Sequence, residues 1–224
     1  MHKRPQPAAD SSIRDDHRRI FMERVHRLLF LAYGRMLPAK KWAHHKEEDI
    51  SGELARHIDE VLDSLSQPWM KFYSLEAERH VDEPHLPLAK RRLGKHRRRL
   101  DIRFRCRQRS PILRFIYEAK LLTDTGSYQD LLGDSGLSRF LDKRYARSDN
   151  AAGLIGYVQI GEEAEHADRV RADLEKRSHS CRLVQNSSWT ECRWPGCVFR
   201  SHVTQHHRDR LPDILIFHTF LRFH

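Results

Sequence analysis

The chain has no long apolar run. No stretch approaches the roughly 18 to 20 consecutive apolar residues that span a bilayer, so no transmembrane helix and no membrane partner are expected. The N-terminal MHKRPQPAADSS carries no hydrophobic signal core. Cysteine is scarce, with four in 224 residues. That is too few for a disulfide scaffold, and a reducing, cytoplasmic setting is the expectation. No G-x-S-x-G, P-loop or dinucleotide-binding fingerprint occurs, which sets aside hydrolase triads of that type, NTPases and Rossmann enzymes. Internal repeats are also missing. Acidic residues are in the minority: 31 Asp and Glu face 41 Lys and Arg, a formal net charge of +10.

What is present is the composition of a soluble protein. Hydrophobic residues make up 39% and charged residues 32%, and aromatic residues run the length of the chain, which argues against long disorder. The strong basic balance points to a polyanionic partner, of which nucleic acid is the commonest. The run KRRLGKHRRR, Lys90 to Arg99, concentrates that charge. It reads equally as a backbone-gripping patch or as a solvated loop.

Hydrophobic periodicity predicts a helix over 11–36 and a second from about Asp49 to Leu65, with Ile50, Leu54, Ile58, Val61, Leu62 and Leu65 on one stripe. Phe72 to Val81 reads as a strand. From Leu100 the chain alternates, with Leu100, Ile102, Phe104 and Cys106 on one face and Asp101, Arg103, Arg105 and Arg107 on the other. Ile112 to Leu122 is a second strand, with Ile116, Glu118 and Lys120 sharing a face. Helical sequence from Tyr128 to Tyr145, broken near Gly133 to Gly136, leads to a strand at Gly153 to Ile160. A helix over Glu162 to Arg177 follows, then strands around Val198 to Thr204 and Ile214 to Phe223. This alternation predicts helices flanking a mixed sheet.

The strand pair carries the chemistry. Side chains two apart on a strand point the same way, so Glu118 and Lys120 share a face and Asp101 stands on the polar face of the preceding strand. Two carboxylates are hard oxygen ligands suited to Mg²⁺. A bound Mg²⁺ can lower the pKa of a coordinated water and neutralise charge on a scissile phosphate. Lys120 can orient the water or stabilise that charge, and the arginines flanking Asp101 can hold phosphates. Lys120 is the only lysine with an acidic residue two places before it. It also lies inside an apolar strand, where charge needs a reason. A salt-bridged strand face of purely structural role is the competing reading.

RLDIRFR (Arg99 to Arg105) and FIYEAKLL (Phe115 to Leu122) resemble the PD-(D/E)xK superfamily of restriction-endonuclease-like nucleases. The resemblance implies a restriction-endonuclease-like mixed central sheet flanked by helices. Asp101 and Glu118 would hold Mg²⁺, for which Mn²⁺ may stand in, with the Ala119 carbonyl as a further ligand and Lys120 assisting the water. The proline often found before the family's Asp is replaced by Leu100. The family often adds a glutamate from an earlier helix. Extending the stripe of Ile50, Leu54 and Ile58 backward at about 100° per residue puts Glu47 near its centre, with Glu48 the second candidate and a helix-dipole role the alternative for both. Downstream, RFLDKRYA and GLIGYV look like small bacterial nuclease-like proteins of phage-defence loci.

The resemblance also divides the chain into a tail and helical arm, 1–45, and a nuclease-like domain, 46–224. It implies DNA as substrate, double-stranded by first choice and with RNA left open; Arg97, Arg98, Arg99, Arg103, Arg105, Tyr128, Gln129 and Arg139 are the candidate contacts. A partner subunit of a defence system and a homo-oligomer are compatible with it. A catalytically inactive nucleic-acid-binding or scaffold subunit is the alternative function. Cys192, Cys197, His202, His206 and His207 invite zinc, yet the gap between cysteines and histidines is too short for the usual finger, and zinc is not expected. Cys106 and Cys181 read as buried thiols, and His202 and His218 as structural histidines.

Overall fold

β3 (Leu113–Leu122) is the strand around which the molecule is organised, because both of its faces are covered. In the computed structural model, residues 9–37, 42–80, 99–108, 110–123, 127–185, 187 and 189–224 are described, without the side chains of 9–14, 77–80, 99–101 and 127. Helices α1 (Ala9–Met36) and α2 (Glu47–Asp63) precede a meander of β1 (Tyr73–His80), β2 (Arg99–Cys106) and β3. Two short helices, α3 (Ser127–Leu132) and α4 (Ser138–Leu141), lead to β4 (Ala151–Val158). Then come α5 (Glu163–Lys176), β5 (Thr190–Cys192), β6 (Ser201–Arg208) and β7 (Leu211–Arg222).

Among the described residues these strands form one seven-stranded sheet in the order β1-β2-β3-β4-β7-β6-β5. β3, β4 and β7 run parallel and the outer pairings are antiparallel. The mixed α/β architecture agrees with the alternation of periods in the sequence.

Strand alternation divides the core in two. Ile102, Phe104, Phe115, Tyr117, Ala119, Ile155, Tyr157 and Phe217 pack beneath α1 and α2. On the other face Ile116, Leu154, Ile214, Ile216 and Phe220 pack with α3, α4 and α5. α1 is therefore not an arm. Its stripe of Val25, Leu28, Leu29, Ala32 and Met36 is fully buried in the first cluster, and the Tyr33 hydroxyl donates to the Arg222 carbonyl at 2.7 Å. A boundary at 45/46 would cut through one core. The helix predicted over 11–36 is present, and its apolar side is packed in the core that it shares with α2 and the sheet.

Gly153 shows how tightly β4 meets its neighbour. A Cβ there would lie 2.2 Å from the Tyr117 ring, so only glycine lets that ring lie flat across the strand.

Candidate active site

Three elements converge at the carboxyl-terminal end of β3. Glu118 is 0% exposed and Lys120 9%, on the strand face that the sequence pattern assigns them. Glu47 is the first residue of α2. Lys120 Nζ bridges the two carboxylates, 2.7 Å from Glu47 Oε1 and 3.2 Å from Glu118 Oε1. Glu47 also accepts the Leu121 backbone N–H at 3.3 Å through Oε2. Arg139, from α4, donates to Glu118 Oε1 and to the Tyr145 hydroxyl, the latter at 3.0 Å. Its guanidinium stands 5.4 Å from the centre of the Tyr145 ring. A fully buried carboxylate is costly unless it is paired and hydrogen-bonded. Here Lys120 and Arg139 supply the opposite charge.

The start of α2 is fixed from below. Gln159, just past β4, donates through its amide to the carbonyls of Trp42 and His45, each at 2.8 Å. The Ser51 and Tyr157 hydroxyls pair at 3.0 Å in the interior. These bonds hold the segment before Glu47 and the second turn of α2 against β4. Glu47 lies in the acidic first turn of the helix, and it contacts Lys120. Glu48 is exposed and has no place in this cluster.

Asp101 belongs to β2, and its side chain lies outside the described residues. The described register of β2 on β3 runs from Cys106 opposite Leu113 to Ile102 opposite Tyr117. Ala119 is fully buried between the two charged residues. The donor set suits a hard divalent cation in kind, with two carboxylates held around Lys120 and Arg139 set against one of them. Among the described residues no group of three or more His, Cys, Asp or Glu is placed to hold a metal.

The expected nucleic-acid contacts separate. Arg97 and Arg98 lie outside the described residues, as does the side chain of Arg99. Arg103 and Arg105 are bound by Glu76 of β1 at 3.1 and 2.9 Å, so a phosphate must compete with that carboxylate. Gln129 is exposed on α3. Tyr128 is a correction. It is 3% exposed, and its hydroxyl donates to His166 Nδ1 at 2.6 Å, which makes it a core residue because α5 closes over it. Arg139 meets Glu118 instead of lying on an open helix surface.

The candidate zinc residues do not assemble. Neighbouring positions on a strand face opposite ways. His206 is buried, donating from Nδ1 to the Cys181 carbonyl at 2.8 Å and accepting at Nε2 from Thr204 at 2.7 Å. His207 is exposed and pairs with Asp213 at 2.9 Å. Burial pushes the Cys197 thiol up to about 11, despite nearby Arg27, which disfavours the thiolate a metal would need. Cys106 and Cys181 are buried free thiols, and His218 is buried beside Thr204.

No known family model, curated protein or solved structure matches the chain. Among the described residues, no helix is long and apolar enough to cross a membrane.

Proposed function

We propose that this chain is a Mg²⁺-dependent nuclease of the PD-(D/E)xK type that hydrolyses phosphodiester bonds in DNA. One observation carries the reading: a lysine inside an apolar strand lies 2.7 and 3.2 Å from two carboxylates, one from its own strand and one from an earlier helix. Structural ion pairs seldom need such placement, whereas phosphoryl chemistry needs hard ligands and a cation at one point. The helix-borne Glu47 is the extra acid that the resemblance leads one to look for. The +10 charge suits a polyanionic substrate.

Asp101, Glu118, Glu47 and the Ala119 carbonyl would hold Mg²⁺, with Mn²⁺ as a substitute. When bound, the ion supplies charge neutralisation at phosphorus and a water of lowered pKa. Lys120 then has two tasks. Its ammonium donates a hydrogen bond that fixes the attacking water, and it stabilises negative charge growing on the phosphate oxygens. Glu47 and Glu118 hold the ammonium in place for both. A role in defence against foreign DNA, with a partner subunit or a second copy, follows from the resemblance.

The test is cleavage of plasmid and linear duplex DNA with Mg²⁺, Mn²⁺ or EDTA. Cleavage should require the metal and fall at least about 10²-fold in Lys120→Ala and Glu118→Gln, with DNA binding retained. The charge balance at Glu118, where Lys120 and Arg139 meet one oxygen, favours a second reading: a nuclease-fold subunit that binds nucleic acid without cutting it. DNA binding by the wild type with no cleavage in either metal selects that reading.

A further inference from the structure

Glu118 Oε1 already carries two cationic contacts of the chain's own, from Lys120 and Arg139. Building on the nuclease reading above, we infer that Arg139 is an internal competitor for the divalent ion, a guanidinium that neutralises Glu118 and must withdraw before a metal can bind there tightly.

The geometry suits such an exchange. The Arg139 side chain is 24% exposed while its partner carboxylate is fully buried, so the guanidinium has solvent to retreat into and the carboxylate does not. The turn that carries it is closed by a backbone bond that does not involve Glu118. The Tyr145 hydroxyl accepts from the same nitrogen at 3.0 Å, and the Tyr145 backbone N–H donates to the Arg139 carbonyl at 2.9 Å. Tyr145 is itself buried, against Phe140 with ring centroids 5.8 Å apart. The backbone of the turn is thus held closed whether or not the guanidinium touches Glu118. Lys120 and Arg139 stand against Glu47 and Glu118 where the metal would bind, with Asp101 the further carboxylate proposed there. A divalent ion added to that set meets repulsion from both cations at short range, in a poorly hydrated site where screening is weak.

The arrangement also links metal to substrate. A phosphate that draws Arg139 away from Glu118 removes the competitor, so a polyanion and the metal should each favour binding of the other. The restraint resides in α4, an element that supplies none of the proposed metal ligands.

The experiment is isothermal titration of the full chain with Mn²⁺ alone, which needs no cleavage. Arg139→Gln should bind Mn²⁺ about tenfold more tightly than the wild type. Arg139→Lys, which keeps the charge, should stay near the wild-type value, and Glu118→Gln should abolish the site. Arg139→Met, which keeps an unbranched aliphatic stem without the charge, repeats the test should the glutamine variant fold poorly. Equal or weaker binding in the folded Gln or Met variant overturns the inference and leaves the nuclease reading standing. No Mn²⁺ binding at Glu118 in any variant, including those lacking Arg139, overturns both.

Discussion

At the scale of single residues, the placement of Glu47 depends on a side chain that never touches it. The Gln159 amide holds the carbonyls of Trp42 and His45, and these lie within the turn that delivers α2 to the end of β3. Gln159→Leu keeps the volume but leaves both carbonyls without that donor, at a cost of about 1–3 kcal/mol in stability. It should also weaken Mn²⁺ affinity about tenfold, as loss of an outer support commonly does. Titration calorimetry beside a urea melt checks both, and unchanged Mn²⁺ affinity in a folded Gln159→Leu protein would refute the positioning role. The acids and the lysine were legible in the sequence because strand alternation and helical spacing fix which way Glu118, Lys120 and Glu47 face. Gln159, Ser51, Tyr157 and Tyr145 gave no such signal. Each works through a contact made only when distant segments close on one another. Arg139 was visible as a candidate, but its partner was not, because nothing local shows that the turn after α3 folds back onto β3.

At the scale of elements, β3 and β4 form the parallel pair on which the site stands, and their close approach depends on Gly153. A methyl group there would meet the Tyr117 ring at 2.2 Å and Phe115 at 3.0 Å, and both rings are buried under α1. Gly153→Ala should therefore destabilise the fold by about 1–3 kcal/mol through overpacking, read as a lower urea midpoint at unchanged slope. A midpoint equal to the wild type would mean that the rings move aside freely. The strands were legible because alternation is a period-two signal, and β2 and β3 carry it over 8 and 10 residues. β5 escaped notice for the opposite reason. Three residues, TEC, at the sheet edge are too short to show any period. The course of α1 was legible but its role was not, since an apolar stripe states that a helix is covered and not by what. The same limit applied to Tyr128, whose position on a helix is evident while its burial under α5 is a tertiary fact.

At the scale of the whole molecule, the sheet register runs one continuous row from the site outward. Glu118 pairs with Leu154, Leu154 with His218, and His218 with His202. The inner histidines, His206 and His218, are buried. His218 lies well below its ordinary pKa through burial and through neighbouring His206 and His202. Burial also lowers His206 to about 4, against the raising effect of the Cys181 carbonyl. On the other face of the sheet, burial lowers His26 of α1 to about 3, partly offset by its bond to the Met22 carbonyl at 2.8 Å. All three native pKa values lie below the unfolded value of about 6.5. The unfolded chain therefore binds protons that the native state refuses. This contribution to stability is fully present above pH 6.5 and drains away as pH falls through the native values, to about 4 for His206 and about 3 for His26. Urea melts between pH 7.5 and 4.5 should show stability falling with acidification. The His26→Phe variant should show a shallower fall, by about 1.4 kcal/mol per pH unit below pH 6 for the one proton removed. Phenylalanine suits the cage of Phe115, Tyr117, Trp194 and Phe217 around that ring. The same pH slope in wild type and variant would show that His26 takes up no proton on unfolding. A fold that weakens toward acid in this way ties the integrity of the Glu118 cluster to neutral pH, because α1, β7 and β3 come apart together.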